Sequence, residues 1–259
     1  MNTATAARRA REAVVVAPCL PSGSLVISII IPVLNEAGPG QAGPQQAARG
    51  ESESITDVLS RLPASVETIV VDGGSTDDTR ELVRATGMRL VTAQRGRANQ
   101  MNAGAALASG EVLLFLHADT RLPDNFLAAL AEFERSPRAW GRFDVRLSGS
   151  HPMFRVIERM MNWRSRLTGI CTGDQAIFVR RSSFVTLGGF APIPLMEDIE
   201  ISRRLLRISR PFCVHAAVTT SSRRWERRGI LKTILLMWRL RLAYFLGARP
   251  EQLARRYYG

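Results

Sequence analysis

The sequence predicts an α/β protein in which a mainly parallel central sheet is flanked by helices and followed by an amphipathic helical C-terminal segment. Three observations predict it. Continuous β-branched runs such as LVISIIIPV (25–33) suit strands buried on both faces. Helical stretches fill the gaps between these runs at the spacing of βαβ crossovers. A chain of 259 residues, 46% of them hydrophobic, has enough apolar surface for a full core.

The elements follow in order. After the strand at 25–33, AGPGQAGPQQAARGES (37–52) is rich in Gly, Pro, Ala and Gln and has no hydrophobic period, so a flexible surface insertion is expected. A helix is expected over about 53–61, a strand in ETIVV (67–71), and a helix over 77–86 behind the capping-type STDD. MRLV (88–91) is a weaker strand, 97–109 a helix, and EVLLFL (111–116) the fourth strand. From Trp140 the pattern changes: WGRFDVRL (140–147) and QAIFVRR (175–181) read as strands around a helix of about 152–167, and MEDIEISRRLLR (196–207) opens another helix. This half is expected to complete the pocket. The N-terminal stretch has arginines before a short apolar patch, but Pro18 and Pro21 break the patch, so residues 1–24 read as a disordered tail. The expected divisions are this tail, a domain over 25–225, and a basic helical segment over 226–259.

The net charge of +12 is localised. Residues 1–200 carry 21 basic and 21 acidic side chains, whereas residues 201–259 carry 14 and 2. Lys232 is the single lysine, a bias that a GC-rich genome explains as well as a binding demand does. ILKTILLMWRLRLAYFL (230–246) is strongly apolar but shorter than the roughly 20 residues of a membrane span and carries Lys232, Arg239 and Arg241. It reads as interfacial or docked. Cys19, Cys171 and Cys213 are too far apart for a metal motif and read as reduced thiols of a cytosolic protein.

In open parallel sheets, ligands gather at the C-terminal strand ends. Three such ends carry carboxylates: Pro32 to Glu36, Asp72 to Thr76, and His117 to Thr120. After Asp72, Gly73 and Gly74 let backbone approach a ligand; Ser75, Thr76 and Asp77 by themselves explain a capped turn, yet capping has no need of Asp72. Asn102 and Gly104 either border a nucleotide or pack as ordinary helix residues. Asp119, closing an apolar strand, suits a hard divalent cation shared with substrate phosphates, although an Asp opening a loop needs no metal. His117 is a second ligand or a structural histidine. Glu197, Asp198 and Glu200 sit where a helix dipole favours acids, and one of them facing the pocket would serve as a general base. Arg223 and Arg224, beside Trp225, suit a diphosphate or form a solvated basic face.

Taken in order, IIIPVLNE, VVDGGSTDDT, LFLHADT, GDQAIFVRR and MEDIE resemble the family-2 inverting glycosyltransferases of the GT-A fold, over residues 25 to about 225. The HAD and GDQ strings resemble the bacterial selenodomain-associated transferase 2 subgroup. The resemblance implies a GT-A nucleotide-diphospho-sugar transferase fold, a nucleotide-sugar donor with UDP as the family's usual nucleotide, and Mg²⁺ or Mn²⁺. Glu36 and Asp72 would then contact the nucleoside, in a donor site that also takes in Pro32, Asn35, Gly73, Asn102, Gly104, Ala118, Arg223, Arg224 and Trp225. Asp119, at the last acidic position of the DxD signature, would hold the metal on the diphosphate, and His117 stands where the signature has its first acid. Asp198, in the position of the ED motif, would be the catalytic base, with Asp174 and Glu197 on the acceptor side.

Other classes fit less well. A haloacid-dehalogenase-type phosphatase would need its nucleophile at His117. A sugar nucleotidyltransferase would need a Gly-rich basic loop after the first strand, which PVLNEAG does not provide. A non-catalytic membrane-surface module built on the C-terminal segment is compatible with a transferase whose acceptor is lipid-linked. No nucleic-acid-binding motif is recognised in the basic segment, so no nucleic acid partner is expected. The expected location is the cytoplasm, with peripheral contact on the inner face of an anionic membrane.

Overall fold

The structure, a computed structural model, describes residues 26–37 and 54–258. The expected tail at 1–24, Cys19, and the insertion at 37–52 beyond its first residue lie outside the described residues.

The first half alternates strands and helices as the apolar runs dictate: β1 (Ile27–Val33), α1 (Ile55–Ser60), β2 (Glu67–Asp72), α2 (Thr79–Ala85), β3 (Arg89–Thr92), α3 (Arg97–Leu107) and β4 (Val112–Phe115). Ile29, Ile30 and Ile31 are all fully buried, because alternate side chains enter two different cores. Ile29 and Ile31 pack with Ile55, Val58 and Leu59 of α1. Ile30 packs with Ala98, Met101 and Ala105 of α3 on the other face. The four strands pair in parallel in the order β3-β2-β1-β4, with Val33 level with Asp72 and Asp72 level with Thr92.

The chain continues through β5 (Thr120–Arg121), α4 (Phe126–Arg135), β6 (Trp140–Leu147), α5 (Pro152–Thr168), a 3-10 turn (Gly173–Gln175), β7 (Phe178–Arg180), α6 (Arg181–Thr186), α7 (Glu197–Leu205) and β8 (Phe212–Thr220). It ends in α8 (Arg223–Arg228), α9 (Ile230–Phe245) and α10 (Pro250–Tyr258). The eight-stranded sheet reads β3-β2-β1-β4-β7-β6-β8-β5. It is mixed: β7 runs antiparallel to β4 and β6, β5 antiparallel to β8, and the other strands share one direction.

Strand β8 was not expected from FCVHAAVTT. Its register on β6 jumps from Phe143↔Val214 to Asp144↔Ala217, so His215 and Ala216 bulge out and break the two-residue period. The C-terminal helices are part of the body. Leu240 of α9 and Leu253 and Tyr257 of α10 are buried against Ile170, Leu195, Met196 and Ile199.

Candidate active site

Strand order reverses at β1, from which the chain builds β2 and β3 on one side before returning to β4 on the other. A cleft of about 1010 Å³ opens at the C-terminal ends of these strands. Five segments distant in sequence bring the expected residues to its wall: Pro32 at the end of β1 and Glu36 after it, His117, Ala118 and Asp119 after β4, Asp174 of the turn, Glu197 and Asp198 of α7, and Arg223, Arg224 and Trp225 of α8.

Five expected donor-site residues lie elsewhere, and their local chemistry explains why. The Asp72 side chain is fully buried and accepts hydrogen bonds from the amides of Gly74 and Ser75, 3.0 Å each, and from Arg80 Nε at 2.7 Å. Burial disfavours its charge, but the bonds from Ser75, Arg80 and Gly74 outweigh burial and hold its pKa below the ordinary value. A Cβ at Gly73 would lie 2.8 Å from Gln100 Oε1, so the hydrogen-bonded Gln100 side chain favours glycine there. Asn35, at φ 56°, accepts from the Thr76 amide at 2.9 Å and ties the β1 end to the β2 loop. Asn102 bonds both backbone groups of Phe190, at 2.8 and 2.9 Å. Gly104 lets α3 lie on the sheet, since a Cβ would come within 2.5 Å of Ile30 Cγ2.

The STDD expectation holds in part, since Asp77 Oδ1 accepts from the Thr79 amide at 3.1 Å. Asp78, at the start of α2, makes no side-chain cap. Ser75 Oγ instead accepts from the Asn35 amide, Thr79 Oγ1 from that of Glu36 at 2.7 Å, and Asp77 from that of Ala37 at 3.0 Å. The hydroxyls and acids after β2 therefore position the loop that carries Glu36. Gln100, buried, donates Nε2 to Val33 O and Val71 O, 2.8 Å each, locking the same two strand ends.

The HAD and GDQ strings meet across the cleft. His117 Nδ1 lies 3.3 Å from Asp174 Oδ1, and a Cβ on Gly173 would fall 2.4 Å from His117 Nε2. Burial disfavours the Asp174 carboxylate, but its bond to His117, the His117 charge and then Arg97 and Arg224 hold it down to about 2. With both ring nitrogens turned to this turn, His117 organises Asp174 and is not carried forward as a metal ligand. On the other side of the turn, Asp198 Oδ2 accepts from the Gly173 amide at 2.9 Å and Oδ1 from the Ile199 amide at 2.7 Å. The non-glycine residues with left-handed backbone among the described residues are Asn35, Ala176 and Met196. Each adjoins a segment that shapes the cleft, where strain is tolerated for the sake of placement.

Glu36 and Asp119 both line the cleft. Burial first, then the Asp119 charge, raise the Glu36 pKa against the pull of Arg223. Among the described residues no three His, Cys, Asp or Glu side chains form a ready-made ligand set. A divalent ion completed by diphosphate oxygens and water needs only one or two carboxylates, so Asp119, with Glu36 on the same cleft, fits that role.

Sequence reading missed Arg97 and the C-terminal wall. Arg97 Nη1 lies 3.4 Å from Glu197 Oε1, whose side chain is only 4% exposed. Burial weighs against the Arg97 charge, but Glu197 and then Tyr258, Asp174 and Asp198 hold it firmly protonated. A signal was present: Arg95 and Arg97 at the start of a helix oppose its dipole, which needs a reason. Met237, Arg241, Tyr257 and Tyr258 also line the cleft, and no local pattern marks them.

This doubly layered sheet, with its cleft at the switch point, is a GT-A-like α/β fold. TarS 1–349 from S. aureus superposes with a TM-score of 0.59 at 17% identity, over 76% of this chain and 61% of that one. A mannosyltransferase from Pyrobaculum calidifontis, solved with GDP-Man and Mn²⁺, gives 0.56 at 21% identity, over 84% and 60%. The sequence model of glycosyl transferase family 2 matches residues 28–185, and the chain belongs to that family. A PGL/p-HBAD biosynthesis glycosyltransferase of Mycobacterium bovis (strain BCG / Pasteur 1173P2) is 33% identical over 180 residues, 64% of this chain and 63% of the relative. The match thus spans a little under two thirds of that relative's length.

Proposed function

We propose that the protein is an inverting glycosyltransferase that moves a sugar from a nucleotide-diphosphate donor, UDP-sugar by the family's habit, to an acceptor hydroxyl. The carrying observation is the convergence of Glu36, Asp119, Asp198 and Arg223, from four separate segments, on one cleft at the switch point. The shared HAD and GDQ strings support membership of the selenodomain-associated transferase 2 subgroup.

In this reading Arg223 and Arg224 neutralise the diphosphate. Asp119 holds Mg²⁺ or Mn²⁺, which would supply charge stabilisation to the departing nucleotide diphosphate. Asp198, fixed by two backbone amides, takes the proton from the acceptor hydroxyl. The acceptor oxygen bonds to the anomeric carbon as the bond from that carbon to the phosphate oxygen breaks, and the electron pair leaves with the nucleotide. Attack from the face opposite the leaving group inverts the configuration. Arg97 keeps Glu197 paired beside Asp198, and His117 keeps Asp174 in place.

Calorimetric titration with UDP and with GDP, each with Mn²⁺ and with EDTA, tests the donor reading. Metal-dependent binding of one nucleotide by the wild type, lost in Asp119→Ala, is the expected result; a folded wild type that binds neither would reject it.

The reading includes peripheral contact with the cytoplasmic face of an anionic membrane. Among the described residues no helix is long and apolar enough to cross a membrane. On the side of α9 away from the body, Leu231, Leu235, Trp238 and Leu242 are exposed, with Lys232 and Arg239 also exposed on the same helix. Met160, Trp163 and Leu167 are exposed on α5, which packs beside α9 through Ile157, Ile230 and Ile234. Apolar side chains with basic neighbours suit an anionic bilayer and a lipid-linked acceptor.

A further inference from the structure

Several arginines of the core and the cleft are paired with carboxylates. Arg142 bonds Asp144, Arg204 bonds Glu200 and Arg97 bonds Glu197. Among the described residues, Arg164 and Arg241 have no such partner. Arg164 of α5 has its Nε and Nη2 buried with no hydrogen-bond partner. Arg241 projects from α9 into the cleft wall. Neither guanidinium makes a hydrogen bond or ion pair with a carboxylate among the described residues. Burial, and then the Arg241 charge, press the Arg164 pKa down to about 10. Burial also lowers that of Arg241, against the pull of Asp198 and Asp174. A guanidinium with buried, unpartnered N–H groups, behind a second one that lines the cleft without a carboxylate, is a costly arrangement that a bound anion relieves.

This pair is distinct from the arginines assigned to the donor. Arg223 and Arg224 belong to α8, whereas Leu240, next to Arg241 on α9, packs in one cluster with Met196 and Ile199 on either side of Glu197 and Asp198. The unpaired charge therefore lies on the side of the cleft where the attacking hydroxyl is activated.

We infer that the acceptor is anionic, carrying a phosphate or carboxylate group that Arg241 grips beside Asp198, with Arg164 behind it. This rests on the transferase reading and narrows the acceptor class within it. Arg241 is a binding residue here; proton transfer stays with Asp198. The cleft then separates two anions, the donor diphosphate against Arg223 and Arg224 and the acceptor anion against Arg241.

The test uses the full chain with Mn²⁺ and saturating UDP, titrated with inorganic phosphate and with acetate. UDP binding is recorded first, so failure of the donor reading shows before any anion is added. The wild type is expected to bind at least one of the two anions with UDP in place. Arg241→Met is expected to weaken that binding at least about tenfold while UDP affinity stays unchanged, and to be no less thermally stable than the wild type when no anion is present. Arg241→Lys, which keeps the charge without the fork, should retain part of the binding, and it decides the matter if Arg241→Met does not fold. Exposed Arg61→Met should behave as the wild type. Anion binding equal in Arg241→Met and the wild type, or no anion binding by the UDP-loaded wild type, would overturn the proposal. If UDP does not bind, the same comparison on nucleotide-free protein still decides whether Arg241 holds an anion.

Discussion

At the scale of single residues, carboxylates that look alike in the sequence do different work because their neighbours differ. Asp198 lies on the cleft with its orientation set by two amides, so Asp198→Asn preserves shape and removes the basic oxygen. We predict loss of transfer with donor binding retained, read by a turnover assay alongside nucleotide titration; an active variant would take the base role from Asp198. Asp72 is structural. Asp72→Asn should cost about 1–3 kcal/mol in urea unfolding, because Arg80 loses its anionic partner and the loop amides a strong acceptor. The native pKa of Asp72 lies below its ordinary 3.8, so its contribution is full above that pH and is lost as pH falls through the lowered native value. The stability gap between wild type and variant should therefore narrow on acidification below about 3.8. A gap that widens there would contradict the assignment. His117, Asp174 and Gly173 show the limit of motif reading at this scale: HAD and GDQ were visible as strings, but only contact shows that one positions the other.

At the scale of elements, apolar periodicity served well where strands are buried on both faces and poorly where geometry interrupts the period. Strands β1, β2 and β4 were legible because all but one position of β1, all but one of β2 and all of β4 are buried, while β8 was hidden by its bulge. Helix α3 shows how a packing residue mimics a binding one. Gly104 sits between α3 and the sheet, so Gly104→Ala should destabilise by about 1–3 kcal/mol through overpacking against Ile30 and Val71. Chemical denaturation checks the loss, and the folded variant should bind nucleotide as the wild type does. Unchanged stability with weakened nucleotide binding would return Gly104 to the site.

At the scale of the whole molecule, the C-terminal segment is where sequence and structure diverge most. Its charge and apolar run suggest an appendage, yet α9 and α10 bury Leu240, Leu253 and Tyr257 and close one wall of the cleft. Deleting it would therefore remove core and site together and says nothing specific about membranes. A cleaner prediction is that Leu235→Ser with Trp238→Ser, both on the exposed side of α9, reduces sedimentation with anionic liposomes while leaving thermal stability and nucleotide binding unchanged. Undiminished sedimentation would remove this face from membrane contact.

The sequence by itself determined the alternation of strands and helices, the three carboxylate-bearing strand ends and the basic bias of the last 59 residues. These are legible because burial on two faces imposes local periodicity and because charge is counted residue by residue. The tertiary structure alone brought out the scaffold contacts of Asp72, Gly73, Asn35, Asn102 and Gly104, the pairing of Arg97 with Glu197 across 100 residues, and the reach of Arg241 to the cleft. Pairing of buried charge and close packing depend on which surfaces meet, and contact between distant segments leaves no period in the chain.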